Sequence, residues 1–178
     1  MISFRNAKLD DLKELMEIEV DCFKIGVREK PDVFAQRISV FPDGFILMLE
    51  DDDVIGYACG EIWSKDVEIV EKTFTIGHNP CDVHNPNGTR LYISSIGILQ
   101  SRRGGGKGSL LFDTLISRVV AKYKNVNELI LIVADNWEAA KKIYYKQGFE
   151  EISMAKSFFN PEGEAPADGI IMSKKINS

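Results

Sequence analysis

The hydrophobic pattern is clearest between residues 91 and 123. Residues 91–99 (LYISSIGIL) are apolar and β-branched almost throughout, which predicts a buried strand. After a glycine-rich stretch, Leu111, Leu115 and Val119 recur every four residues, as they would along one buried face of a helix. The rest of the chain reads in the same way. Residues 2–5 suit a short first strand, and Asp10 is a candidate N-cap for a helix with Leu12, Leu15, Met16, Glu19, Cys22 and Phe23 on one side. Pro31 fits the first turn of a second helix bearing Phe34, Ile38 and Phe41, stopped by Pro42-Asp43-Gly44. Residues 45–50 and 54–63 read as strands of an antiparallel hairpin turned by Asp51-Asp52-Asp53. Residues 66–75 fit helix or loop equally. Residues 128–134 (ELILIVA) predict another buried strand, and 136–148 a helix carrying Ala140, Ile143 and Tyr144, with Gly148 as its stop. Residues 150–158 and 169–174 predict two closing strands around the polar loop 160–168.

The stretch from Arg103 through Gly104, Gly105, Gly106, Lys107 and Gly108 to Ser109 lies between the central strand and its helix. Unpaired N–H groups and the positive end of the helix dipole favour a phosphate there, and glycines let a ligand approach the main chain. Two nucleotide motifs fail on spacing. Lys107 is followed by Gly108 rather than by Ser or Thr, and counts of Gly-x-Gly-x-x-Gly from Gly104 or Gly106 end on Ser109 or Leu111.

Bulk properties narrow the class further. The 178 residues suit one domain, 1–178, with 44% hydrophobic and 28% charged residues, ordinary for a soluble globular protein. A net charge of −5 disfavours nucleic acid or an anionic membrane as partner and suits a cationic amine. The N-terminus lacks a signal-peptide core, and the most apolar runs are too short to cross a bilayer, which predicts a cytoplasmic protein. Three cysteines, Cys22, Cys59 and Cys81, suggest reduced thiols rather than a disulfide framework.

What the glycine loop does fit is Arg/Gln-x-x-Gly-x-Gly after a strand, through Arg103, Gly106 and Gly108. This resembles the acetyl-CoA signature of the GNAT family of N-acetyltransferases. A second family motif, Asn-x-x-Ala-x-x-Leu-Tyr-x-x-x-Gly-Phe, is matched from Ala140 through Ile143, Tyr144, Gly148 and Phe149, with Asn136 one residue early. The resemblance implies an α/β fold with a mixed, mostly antiparallel central sheet flanked by helices, and acetyl-CoA as co-substrate. It leaves room for a homodimer. Residues 18–23, 41–44 and 60–63 and the His-Asn-Pro segment are also similar to the arylalkylamine N-acetyltransferase branch, although Tyr92 and Ser94 stand where that branch carries histidines.

The resemblance assigns roles to particular residues. Ile96, Gly97 and Ile98 would lie along the CoA arm, with Gly97 easing a bulge and the Ile98 N–H binding the thioester oxygen. Residues 103–109 would hold the pyrophosphate, and Asn136 would contact the pantetheine. Tyr144 would protonate the departing thiolate, since a phenol keeps its proton at neutral pH; its alternative role is a core aromatic. Glu61, an acid in an apolar strand, is the candidate base acting through water, or else an exposed-face residue. Tyr92 is a second proton-wire candidate, and Phe23 would wall the acceptor pocket or belong to the core. His78, Cys81, Asp82 and His84 have metal-ligand identities, but their spacing matches no anchored ligand pair, so residues 77–90 are read as a mobile loop with no metal assigned. The acceptor is read as a small-molecule amine attacked directly in a ternary complex. A peptide amine, or a catalytically silent acyl-CoA sensor, is the alternative.

Overall fold

The computed structural model describes residues 1–176. Its strands β1 (Ile2–Asn6), β2 (Phe45–Glu50), β3 (Asp53–Trp63), β4 (Arg90–Ile98), β5 (Glu128–Ala134), β6 (Glu150–Phe159) and β7 (Ala167–Lys175) form one sheet in the order β1-β2-β3-β4-β5-β7-β6. Every pairing is antiparallel except β4 with β5. The helices are α1 (Leu12–Cys22), α2 (Pro31–Val40), the short α3 (Pro80–Val83), α4 (Lys107–Lys122) and α5 (Glu138–Lys146). Among the described residues no helix is long and apolar enough to cross a membrane.

Strand periodicity explains how the helices cover both faces. On β2, Ile46 and Met48 join Leu111, Leu115 and Val119 of α4, while Phe45, Leu47 and Leu49 join Leu15, Ile18, Phe34 and Ile38 of α1 and α2. Both sides of the strand are therefore buried, and its run of apolar residues has no polar alternate. The hairpin after it turns on two residues. Asp51 and Asp52 both have positive φ, 49° and 74°, as a two-residue turn matched to strand twist requires.

Two local expectations are corrected. Asp10 is not the helix cap: residues Leu9–Asp11 form a 3-10 turn, and Asp11 instead accepts the Lys8 N–H at 2.7 Å while pairing with Arg5. Nor does the β4 bulge fall at Gly97. Gly60 pairs with Ile93 and Cys59 with Ser95, so Ser94 is the extra residue. Gly97 serves helix packing, since a Cβ there would meet Cys22 Sγ and Tyr57 Cε1 at 3.2 Å.

The parallel pair is short. Only Arg90, Leu91 and Tyr92 pair with Glu128, Leu129 and Ile130, after which β4 and β5 diverge. α4 and α5 begin at the open end of this wedge, and α4 packs on β2–β4 beside it. Leu115, fully buried beneath α4, tests that packing. Leu115→Ala should lower unfolding free energy by about 2–5 kcal/mol in urea titrations, with little change in the denaturant slope.

Candidate active site

The wedge opens into a cleft of about 740 Å³. Its floor is the free edge of β4. Leu99 N–H donates to Ile55 O across the sheet at 2.9 Å, so strand alternation turns the Ile98 N–H the other way, into the wedge. The Ile98 carbonyl on the same side accepts from Arg103 Nε at 3.0 Å and from the Cys22 thiol at 3.2 Å.

At one end the loop before α4 has three successive glycines with positive φ, Gly104 at 102°, Gly105 at 65° and Gly106 at 75°. Side chains rarely adopt that conformation, and the run directs amides outward at a helix N-terminus. Among the described residues the N–H groups of Gly104, Gly105, Gly106, Gly108 and Ser109 have no acceptor in the protein. Lys107 also lines the cleft, with its ammonium engaged by Glu50 at 2.9 Å and the Arg102 carbonyl at 2.8 Å. Asn136 lines the cleft just before α5. Free amides, an arginine and a cleft of this volume suit a pyrophosphate with a pantetheine arm, so these residues fit CoA.

At the other end the cleft meets a second chamber of about 90 Å³. Phe23, Val27, Ile96, Trp137, Tyr144 and Phe159 line both and form the throat between them. Trp137 packs on Phe23 and Phe159 at ring separations of 5.9 and 4.9 Å. Above, Glu162 N–H donates to Ile25 O at 2.8 Å and Lys24 pairs with Glu164, so the β6–β7 loop roofs the passage. Tyr144 is buried against Phe112 and Phe149, its hydroxyl makes no hydrogen bond among the described residues, and burial pushes its pKa up to about 12. It remains a proton donor at neutral pH.

The inner chamber holds charge that sequence reading did not assemble. Glu19 of α1 is buried, accepting the Glu29 N–H at 2.8 Å and the Tyr57 hydroxyl, which in turn meets Ser95 Oγ at 2.6 Å. Burial raises the Glu19 pKa, outweighing those hydrogen bonds. Arg37 of α2 reaches Glu29 at 3.3 Å and Glu61 at 3.7 Å. The sequence signal was a carboxylate inside the apolar stripe of α1; nothing local marked Arg37.

Glu61 is neither exposed nor a free base. Its carboxylate is fully buried outside both cavities, held by His78 Nε2 at 2.8 Å and Trp63 Nε1 at 2.9 Å. Burial works to raise its pKa, but the His78 hydrogen bond and charge and the Arg37 charge outweigh it, and the pKa is lowered. It therefore positions His78 rather than taking a proton from an acceptor. The other His78 nitrogen, Nδ1, faces the Thr75 carbonyl at 2.9 Å. Both partners are oxygen acceptors, so the imidazolium form, with hydrogen on both ring nitrogens, is the one this geometry favours. Burial opposes that charge, yet Glu61 raises the His78 pKa overall.

Tyr92 lines the chamber, packed on Trp63 at 4.4 Å, with its ionisation pushed far up by burial. His84 is elsewhere, accepting the Ile62 N–H at 3.0 Å and stacked on Phe41. His78, Cys81, Asp82 and His84 do not converge, and no group of three metal-ligating side chains occurs among the described residues. The segment they occupy is a folded wall built on α3 rather than a free loop. Burial raises the Cys22 thiol and takes Cys59 up to about 11, so neither is activated as a nucleophile.

A sequence model of the acetyltransferase (GNAT) family matches residues 12–149, and the chain belongs to that family, whose co-substrate is acetyl-CoA. No curated protein matches the sequence. Several solved structures share the fold. The loading GNATL domain of CurA from Lyngbya majuscula superposes with a TM-score of 0.81 at 14% identity, covering 98% of each chain. Arabidopsis thaliana NAA60 in complex with acetyl-CoA gives 0.77 at 18%, covering 100% of each. Arabidopsis thaliana Naa50, in complex with the bisubstrate analogue CoA-Ac-MVNAL, gives 0.72 at 23%, covering 97% of each.

The His78–Glu61 pair has a pH signature. A group whose pKa is raised on folding contributes stability that is fully present below its unfolded value of about 6.5 and is lost as pH rises through the folded value. The difference in unfolding free energy between the wild type and His78→Asn should therefore shrink as pH rises above about 6.5. A constant difference from pH 5 to 9 would contradict the ion pair.

Proposed function

We propose that the protein transfers the acetyl group of acetyl-CoA directly to the primary amine of a small molecule in the cytoplasm. The observation that carries this reading is the throat, where the CoA-shaped cleft meets a carboxylate-bearing chamber beside Tyr144. Acetyl-CoA supplies the activated acyl thioester. The loop amides and Arg103 would hold its phosphates, Ile96 and Gly97 would flank its arm, and Asn136 would border it. The Ile98 N–H would bind the carbonyl oxygen as charge develops there.

Glu19 is the base in this reading. A carboxylate with a raised pKa takes an ammonium proton more readily than an ordinary one, and Tyr57 and Ser95 extend a hydrogen-bonded path from it to the chamber. The neutral Tyr144 hydroxyl donates to the departing sulfur. Phe23 and Tyr92 serve as walls of the chamber. Direct transfer needs no nucleophile on the protein, in keeping with thiols that burial holds protonated.

The Naa50 complex raises a peptide amine as the alternative acceptor. The inner volume favours the smaller one: 90 Å³ is room for roughly three waters at about 30 Å³ each. The reading is tested by following thiol release from acetyl-CoA with small amines, amino acids and peptides. One class of small amine should drive release. Glu19→Gln should lower kcat by about 10²–10⁴ and remove the rise in kcat/KM as pH passes upward through the pKa of Glu19; Tyr144→Phe should lower kcat with little change in KM. Saturable CoA binding with no amine-dependent release would leave an acyl-CoA sensor instead.

A further inference from the structure

One buried hydroxyl in the chamber carries a hydrogen without an acceptor. Tyr92 is 3% exposed, its ring held against Trp63 at 4.4 Å and Phe74 at 5.3 Å. Its hydroxyl makes no hydrogen bond among the described residues, although buried donors are nearly always paired. The unpaired atoms that are enclosed on every side are Arg37 Nε and Nη1 and Glu29 Oε2, and these open on no space that a ligand can enter. The Tyr92 oxygen is not one of them, so it opens on the chamber that Tyr92 lines.

The polar groups near it are engaged. Ser94 Oγ donates to the Cys59 carbonyl at 3.2 Å. The Tyr57 hydroxyl donates to Glu19, so Ser95 Oγ, 2.6 Å away, directs its own hydrogen at Tyr57. Both His78 nitrogens face oxygens of the protein. Tyr92 borders the chamber and not the CoA cleft, so its hydroxyl meets whatever fills the chamber away from the thioester. Charge decides what that is. The carboxylates of Glu61 and Glu29 act on the hydroxyl against the Arg37 guanidinium, and their combined field is the larger, which disfavours an anionic group. A second ammonium has no lone pair and leaves the phenol hydrogen unmet. The group that fits is a neutral oxygen with a free lone pair.

We propose that the acceptor amine carries an ether or carbonyl oxygen a few bonds from its nitrogen, and that this oxygen accepts the hydrogen of the Tyr92 hydroxyl while the nitrogen faces Glu19 and the throat. The inference rests on the amine-acetyltransferase reading of this chamber and names the substrate class: a small amino ether, amino ketone or amino amide. Tyr92 is then a specificity determinant that binds the acceptor remote from the reacting atoms. Its ring, fixed by Trp63 and Phe74, presents the hydroxyl before the amine arrives, so little freedom is lost when the hydrogen bond forms.

The test uses two pairs of amines in which an oxygen replaces a methylene, 2-methoxyethylamine against butylamine and 3-methoxypropylamine against pentylamine, with the full chain saturated in CoA. Binding is read by calorimetry and turnover by thiol release from acetyl-CoA. At least one ether should bind roughly 3- to 30-fold more tightly than its alkyl partner, the range for a neutral hydrogen bond whose donor is otherwise left unmade. Tyr92→Phe removes only the hydroxyl and should abolish or reverse that preference. The ratio within a pair is read on one protein, so a general loss of affinity cancels from it. Thermal unfolding shows whether the variant is folded, and the wild-type comparison needs no variant. Equal affinities within both pairs, or tighter binding of both alkylamines, with turnover, would overturn the inference about the oxygen alone, as would a preference that survives in Tyr92→Phe. A preference that is lost in Tyr92→Phe but comes without any turnover would overturn the acetyltransfer reading and keep the oxygen site. No binding of any of the four amines would overturn both.

Discussion

The parting of β4 from β5 after Tyr92 governs the rest of the molecule. A sheet gains by pairing every strand edge, and here the edge of residues 93–98 that faces β5 is left without a partner strand. Arg103 and Cys22 compensate at the Ile98 carbonyl, but the remaining wedge-facing groups are available to a ligand. The gap that weakens the sheet is thus the one that supplies a binding edge. The Ser94 bulge beside it adds twist. Two helices start at the mouth of the same gap, so the main chain provides polar groups at both the strand edge and the α4 N-terminus, with Arg103 beside them.

The inner chamber is organised on the opposite principle. Its polarity comes from the buried Glu19 of α1, Glu29 before α2 and Arg37 of α2, with the half-buried His78 before α3. Taking this many ionised groups out of water is costly, and it is tolerated because each carboxylate meets a cation or several donors. Its dipoles are thereby fixed before any ligand arrives.

How much of this could be read beforehand follows from the range of each signal. The glycine loop and the face of Leu111, Leu115 and Val119 are local patterns, and they located the cleft's end and α4 closely. Tyr144 and Gly148 were legible for the same reason. The inner chamber was not, because Glu19, Glu29, Arg37, Glu61 and His78 are brought together only by the register of β3 and the packing of two helices. Glu61 looked like a free acid because sequence shows a charge in an apolar strand without showing the His78 and Trp63 groups that enclose it. Asp10 looked like a cap because a 3-10 turn and the first turn of a helix share their composition. The bulge was assigned to the visible glycine, whereas pairing with β3 put it at Ser94.

The single buried guanidinium among the described residues also constrains which substitutions this protein tolerates. Arg37 is counter-ion to Glu29 and Glu61 at once, so replacing it by a neutral residue leaves two carboxylates in a poorly solvated interior, and replacing either acid unbalances the others. Single substitutions at this polar end are therefore coupled to one another. Phe74 and Phe158 carry no such obligation, being bound to their neighbours only by packing. Substitutions along that aromatic wall would alter the length and girth of the chamber while the ionic end stayed as it is.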